Sequence, residues 1–214
     1  EKPVFAGDRG PAGGLEARLS RLIAPQEAPV SRLSPVAARG IESLIYRCPE
    51  CLFFDTIRSG KGAHFRCSSC LADFTLLSGF SVRKSGDSIG TSLAGISRRI
   101  RPMSEGGLSA GEPYLNPARA KLSVEKLGRL EAVGPGHMSL SALQMTFESV
   151  GPAVCIDLRS IRSLVIEGSQ KLEVYGGCPA RLYQFSIVDQ SALKWQEAIV
   201  ETLRTRFGCS PSTT

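Results

Sequence analysis

Cys48-Pro49-Glu50-Cys51 is followed, after fifteen residues, by Cys67-Ser68-Ser69-Cys70. Two Cys-x-x-Cys steps at this separation can bring four thiolates around one ion. The run between them can cross and return. Phe53 to Ile57 suits one strand, Gly60-Lys61-Gly62 a turn, His64 to Arg66 the returning strand, and Leu71 to Leu77 a third. The spacing therefore predicts a three-stranded antiparallel zinc ribbon over residues 41–78, with Cys48, Cys51, Cys67 and Cys70 as metal ligands. Four thiolates leave no open coordination position, so the zinc is expected to be structural and not catalytic. Phe53, Phe54, Phe65 and Phe74 are the few large apolar residues of this unit. Metal binding, worth about 10 kcal/mol in comparable peptides, is expected to supply much of its folding free energy. Many ribbons place Gly directly after each Cys-x-x-Cys step; here Leu52 and Leu71 stand there. His64 lies between the cysteine pairs, but four thiolates already complete a site, so it is expected to be an exposed strand residue.

Outward from this unit the pattern changes on both sides. Residues 1–40 form a Gly- and Pro-rich segment, expected to be flexible, with one short helix suggested by Leu15, Leu19, Leu22 and Ile23 and ended by Pro25. Residues 79–120 are rich in Ser, Gly, Pro and Arg and suggest a flexible linker. Within it, Ser97-Arg98-Arg99-Ile100-Arg101-Pro102 is expected to be a solvated charge cluster. From residue 121 short apolar alternations recur: Met138 and Leu140, Met145 and Phe147, Val154, Ile156 and Leu158, Leu164 and Ile166, Leu172 and Val174, then Tyr183, Phe185 and Ile187. Period two with turn signals between the runs means antiparallel strands with one buried face. Ala192, Trp195, Ile199, Leu203 and Phe207 then switch to helical spacing. Asp189 or Ser191 can cap that helix at its start and Gly208 at its end. The expected fold is thus mainly β: a ribbon, a linker, and over residues 121–208 a curved sheet whose open end the helix plugs with Trp195, leaving 209–214 as a tail.

With 42% hydrophobic residues among 214, the chain has enough apolar material for a core, and wholesale disorder is excluded. No apolar run approaches the roughly 20 residues that span a bilayer. The start, Glu1-Lys2-Pro3-Val4, has neither the apolar region of a signal peptide nor an initiator Met, which suggests a piece of a longer protein. Seven cysteines, an odd number, suit a reducing cytosol with one metal site better than a disulfide scaffold, so a cytoplasmic location is expected. Cys155, Cys178 and Cys209 are given no chemistry. The formal charge of +6 is uneven: residues 79–128 carry a net +4, whereas 48–78 and 129–214 are neutral. With the net +2 of residues 1–47, the excess falls on the two segments that look least folded, so nucleic acid is not the expected partner. Arg98, Arg99 and Arg101 leave open a contact with an anionic membrane surface.

No catalytic motif is legible. His64 and His137 have Ser69 and Ala142 five positions later, where an acyltransferase His-Asp signature needs aspartate. Neither a Gly-x-Ser-x-Gly elbow nor a Walker loop occurs.

The segment Arg39-Gly40-Ile41-Glu42-Ser43-Leu44-Ile45-Tyr46, with Cys48-Pro49-Glu50-Cys51, Asp55-Thr56-Ile57, Phe65, Cys67 and Cys70, is similar to the region after the catalytic domain in bacterial 1-acyl-sn-glycerol-3-phosphate acyltransferases. Residues 121–207 resemble the pleckstrin-homology/GRAM-like class. Gly136-His137-Met138-Ser139-Leu140-Ser141 with Met145-Thr146-Phe147 carries that resemblance, as do Lys171–Tyr175, Tyr183–Phe185 and Leu193–Ile199. The resemblances imply the non-catalytic tail of a phospholipid-synthesis enzyme, peripheral at the inner membrane face, with the His-Asp pair upstream. The sheet domain would contact its own catalytic domain or another protein, since Gly134-Pro135-Gly136-His137 supplies no basic residues for an inositide. A stand-alone interaction adaptor and a nucleic-acid-binding ribbon are the alternatives.

Overall fold

Two apolar cores organise the chain in a computed structural model that describes residues 38–78, 80–101, 115–209 and 211–213. The class is mainly β, as expected. Strands β1 (Ile57–Ser59), β2 (His64–Cys67), β3 (Asp73–Leu77), β4 (Ser81–Lys84) and β5 (Thr91–Ser92) form one antiparallel sheet in that order. Its buried face is set by alternation: Phe65 and Cys67 on β2, Phe74 and Leu76 on β3, and Val82 on β4. Phe65 and Phe74 are cross-strand partners with stacked rings 5.2 Å apart, the pairing that holds register in so small a sheet. Ile41, Ile45 and Tyr46 close the core from the N-terminal side.

Residues 81–101 correct the expected linker. They form β4, β5 and helix α1 (Leu93–Ile100), so the first sheet has five strands where three were expected. The physical reason is burial: Val82, Ile96 and Ile100 are inserted in the ribbon core. Ser92 caps α1 by accepting the Gly95 amide at 3.1 Å. Arg98, Arg99 and Arg101 accordingly lie on and beside a folded helix, not in a loose tether. The charge moves with them. Residues 38–101 hold ten basic and five acidic side chains, a folded unit of +5. Residues 1–37, with the expected N-terminal helix, and residues 102–114 of the expected linker lie outside the described residues.

The second sheet starts at Ala118, three residues before the expected boundary. It comprises β6 (Ala118–Lys126), β7 (Arg129–Leu140), β8 (Gln144–Glu148), β9 (Val154–Asp157), β10 (Ser163–Glu167), β11 (Lys171–Gly176), β12 (Arg181–Ile187) and β13 (Ser212–Thr213). The order is β13-β10-β11-β12-β6-β7-β8-β9, antiparallel except for the short β13 beside β10. The sheet curls between Leu122 and Ser123, where the β6–β7 register shifts. Gly136 lets it curl so tightly: a Cβ there would lie 2.1 Å from the Glu148 carbonyl oxygen. Helix α2 (Ala192–Phe207) plugs the curled sheet with Trp195, Ala198, Ile199 and Leu203, all buried. Its Ser191 makes no side-chain cap; the hydroxyl donates instead to the Ser43 carbonyl at 2.6 Å, in the other unit. Gly208 ends the helix in the left-handed conformation, at φ 63°. Among the described residues no helix is long and apolar enough to cross a membrane.

Candidate metal centre

The chain makes the same turn twice. In the first, the Cys48 amide donates to the Phe53 carbonyl at 3.0 Å; in the second, the Cys67 amide donates to the Ala72 carbonyl at 2.9 Å. The Glu50 amide points at Cys48 Sγ and the Ser69 amide at Cys67 Sγ, each at 3.4 Å. Arg47 Nε donates to the Leu52 carbonyl, and Arg66 Nε to the Leu71 carbonyl at 3.2 Å. Leu52 and Leu71 both take left-handed backbone conformations, at φ 60° and 61°. Each costs about 1–2 kcal/mol relative to glycine, the residue usual in this place. Leu71, 58% exposed, recovers little of that cost by burial, whereas Leu52, 38% exposed, recovers more. The repeat was legible and overlooked: Arg-Cys-x-x-Cys-Leu occurs at residues 47–52 and again at 66–71.

These turns bring together all four sequence-predicted ligands. Cys48 Sγ lies 3.7 Å from Cys70 Sγ, and Cys51 Sγ 3.7 Å from Cys67 Sγ. All four sulfurs are within 4.8 Å of one another. Four sulfurs about 2.3 Å from a shared ion stand about 3.8 Å apart in a tetrahedron, close to these two separations, so the donor set is compatible with a metal. Burial pushes the Cys48 thiol up to about 12. Burial acts against the Cys67 thiolate too, but the Thr56 hydroxyl and the Cys70 and Ser69 amides outweigh it and bring Cys67 down to about 6. Sulfurs this close ionise together only if a cation balances them, and thiolates select soft metal ions. His64 is not part of the cluster: it is exposed on β2, its Nδ1 3.1 Å from Thr75 Oγ1. Cys155, Cys178 and Cys209 are exposed and stand outside it as well.

The sheet that carries the cysteine cluster is bolted to the second unit through polar groups that the sequence did not reveal. Lys194 on α2 is fully buried and pairs with Asp55, while Gln190 accepts from its Nζ at 2.6 Å. Burial pulls the Lys194 ammonium below the usual lysine range, and the Asp55 charge opposes that pull. The Tyr46 hydroxyl donates to Glu197, which Arg101 also approaches at 3.4 Å. Burial, reinforced by Glu197, holds the Tyr46 phenol well above its ordinary value. Phe54 packs against both cores and stacks on Tyr46. A cleft of about 230 Å³ at the junction is lined by Tyr46, Asp55, Gln170 and Gln190 among others. Comparison with protein-family models and with curated proteins returned no match to this chain.

Proposed function

We propose that this chain is a zinc-stapled, non-catalytic accessory module, the part of a phospholipid-synthesis acyltransferase that follows its catalytic domain. One observation carries the reading. Cys48, Cys51, Cys67 and Cys70 converge at tetrahedral spacing and leave no position for substrate or water, which is the property of a structural zinc site. A tetrahedral set of four thiolates suits zinc or iron, and the ribbon spacing of the two Cys-x-x-Cys steps favours zinc. The acyltransferase assignment rests on the resemblance of residues 39–57, Phe65, Cys67 and Cys70 to that family, and acyl transfer to 1-acyl-sn-glycerol-3-phosphate would belong to a domain upstream. Strands β6 to β12 followed by α2 support the pleckstrin-homology/GRAM-like reading of the second unit. Its role would be to hold the module against its own catalytic domain or another protein.

Two measurements test this. Atomic emission on the purified chain should find one zinc per molecule, and Cys51→Ser should lose both the zinc and the structure of residues 41–100. Zinc retained in Cys51→Ser removes the structural assignment. For the parent activity, acyl transfer to lysophosphatidate is compared between the full-length protein and a form lacking residues 38–213. Activity found in this chain alone, or no transferase activity in the full-length protein, refutes the accessory role.

A further inference from the structure

Among the described residues, four exposed apolar residues stand on left-handed backbone, and two of them, Leu52 and Leu71, lie together at the cysteine turns while Phe80 and Leu127 lie elsewhere. Leu52 and Leu71 occupy left-handed positions where glycine would be free of strain, one residue beyond Cys51 and Cys70. Phe53, next to Leu52, is 61% exposed. Three large apolar side chains are therefore displayed at the cysteine-bearing end of the first sheet. Basic groups flank the two turns, several of them paired with Glu50 or, for Arg66 at 3.3 Å, with Asp73. Lys84 Nζ lies 2.8 Å and Arg99 3.9 Å from the single carboxylate of Glu50, inside the first turn, and the Arg47 and Arg66 guanidiniums reach the carbonyls of Leu52 and Leu71. Arg98 is exposed on α1 beside Arg99, and the unit, which carries +5 from its basic and acidic side chains, keeps a net +3 once four thiolates hold one Zn²⁺.

We infer that the two cysteine turns form a membrane-docking tip, with Leu52, Phe53 and Leu71 entering the headgroup region of an anionic bilayer and Lys84, Arg98 and Arg99 facing its phosphates. Aliphatic side chains flanked by cations suit a lipid–water boundary, where apolar burial and anionic attraction add. Leucines offer no flat face for stacking on bases, so a nucleic acid would gain from the charge alone. The zinc reading underlies this inference because the metal holds both turns, but the acyltransferase assignment does not enter it.

Docking is tested with the full chain, vesicles of phosphatidylcholine alone, and vesicles with about one third phosphatidylserine. The wild-type chain should co-sediment with the anionic vesicles and release them as salt rises. Leu52→Gly/Leu71→Gly removes the side chains while relieving the backbone, so it should melt no lower than wild type and keep its zinc. Its vesicle affinity should nonetheless fall about tenfold or more. Lys84→Gln/Arg99→Gln should lose the preference for anionic over neutral vesicles. Unchanged binding by the glycine variant overturns the docking tip. So does a wild-type chain that carries zinc yet ignores both vesicles, or one that binds duplex or single-stranded DNA in their place. Zinc measured on the same samples separates the two readings: missing metal refutes the structural zinc, and missing vesicle binding with full zinc refutes only the docking surface.

Discussion

At Leu71, as at Phe80 and Leu127, a left-handed backbone carries an exposed apolar side chain. The φ of 61° at Leu71 is unfavourable for any residue with a Cβ, while its side chain is more than half exposed. Leu71→Gly is expected to raise stability by about 0.5–1 kcal/mol, after allowing for the extra freedom of glycine in the unfolded chain. Leu71→Ala keeps the strain and should leave the melting temperature nearly unchanged. Calorimetry on the two variants checks the difference. Gly136 is the converse, a residue whose missing side chain is required. The clash with the Glu148 carbonyl oxygen in Gly136→Ala involves backbone on both strands, so neither can give way cheaply. A loss of about 3 kcal/mol or more is expected in denaturant unfolding, with the β7–β8 pairing the first to open.

Helix α2 serves two cores at once. One face plugs the curled sheet with Trp195, Ile199 and Leu203; at its first turn Leu193 and Lys194 meet the ribbon unit. The Lys194–Asp55 pair is partly dry, so removing one partner strands the other charge. Asp55→Asn keeps a side chain that tolerates the left-handed backbone at this position and removes only the charge. It should cost about 3 kcal/mol, and the added change Lys194→Met should restore most of that, because the unpaired ammonium is then gone. Urea titration of the single and double variants measures both steps. Failure of the double variant to recover would mean that the pair itself, and not the avoided buried charge, holds the junction.

For the molecule as a whole, the unit holding the cysteine cluster and the second sheet share contacts through α2. The cysteine turns position Tyr46, Phe54 and Asp55, and these groups meet Glu197 and Lys194 on α2. Chelation of the metal should therefore do more than melt residues 41–100. Hydrogen exchange should quicken there first, as expected for a small unit that relies on its metal. Amides at the start of α2 should then lose protection too, while the β6–β7 and β11–β12 ladders remain slow. Protection that stays unchanged on α2 would show the two units to be independent.

The convergence of the four cysteines and the class of the second sheet were legible in the chain because both are local signals. Cysteine spacing sets how four sulfurs can converge, and period-two alternation from Met138 to Ile187 marks one buried face. Strand β6 was missed because Ala118 and Ala120 are too small to stand out as a buried stripe, although both are buried. Residues 81–100 looked like tether because their strands are very short and their polar residues conceal three buried positions, Val82, Ile96 and Ile100. The placement of Asp55 against Lys194, 139 residues apart, has no local signature at all. A buried ion pair is made by the packing of two surfaces, and neither carboxylate nor ammonium differs in sequence from a solvated one until that packing removes the water.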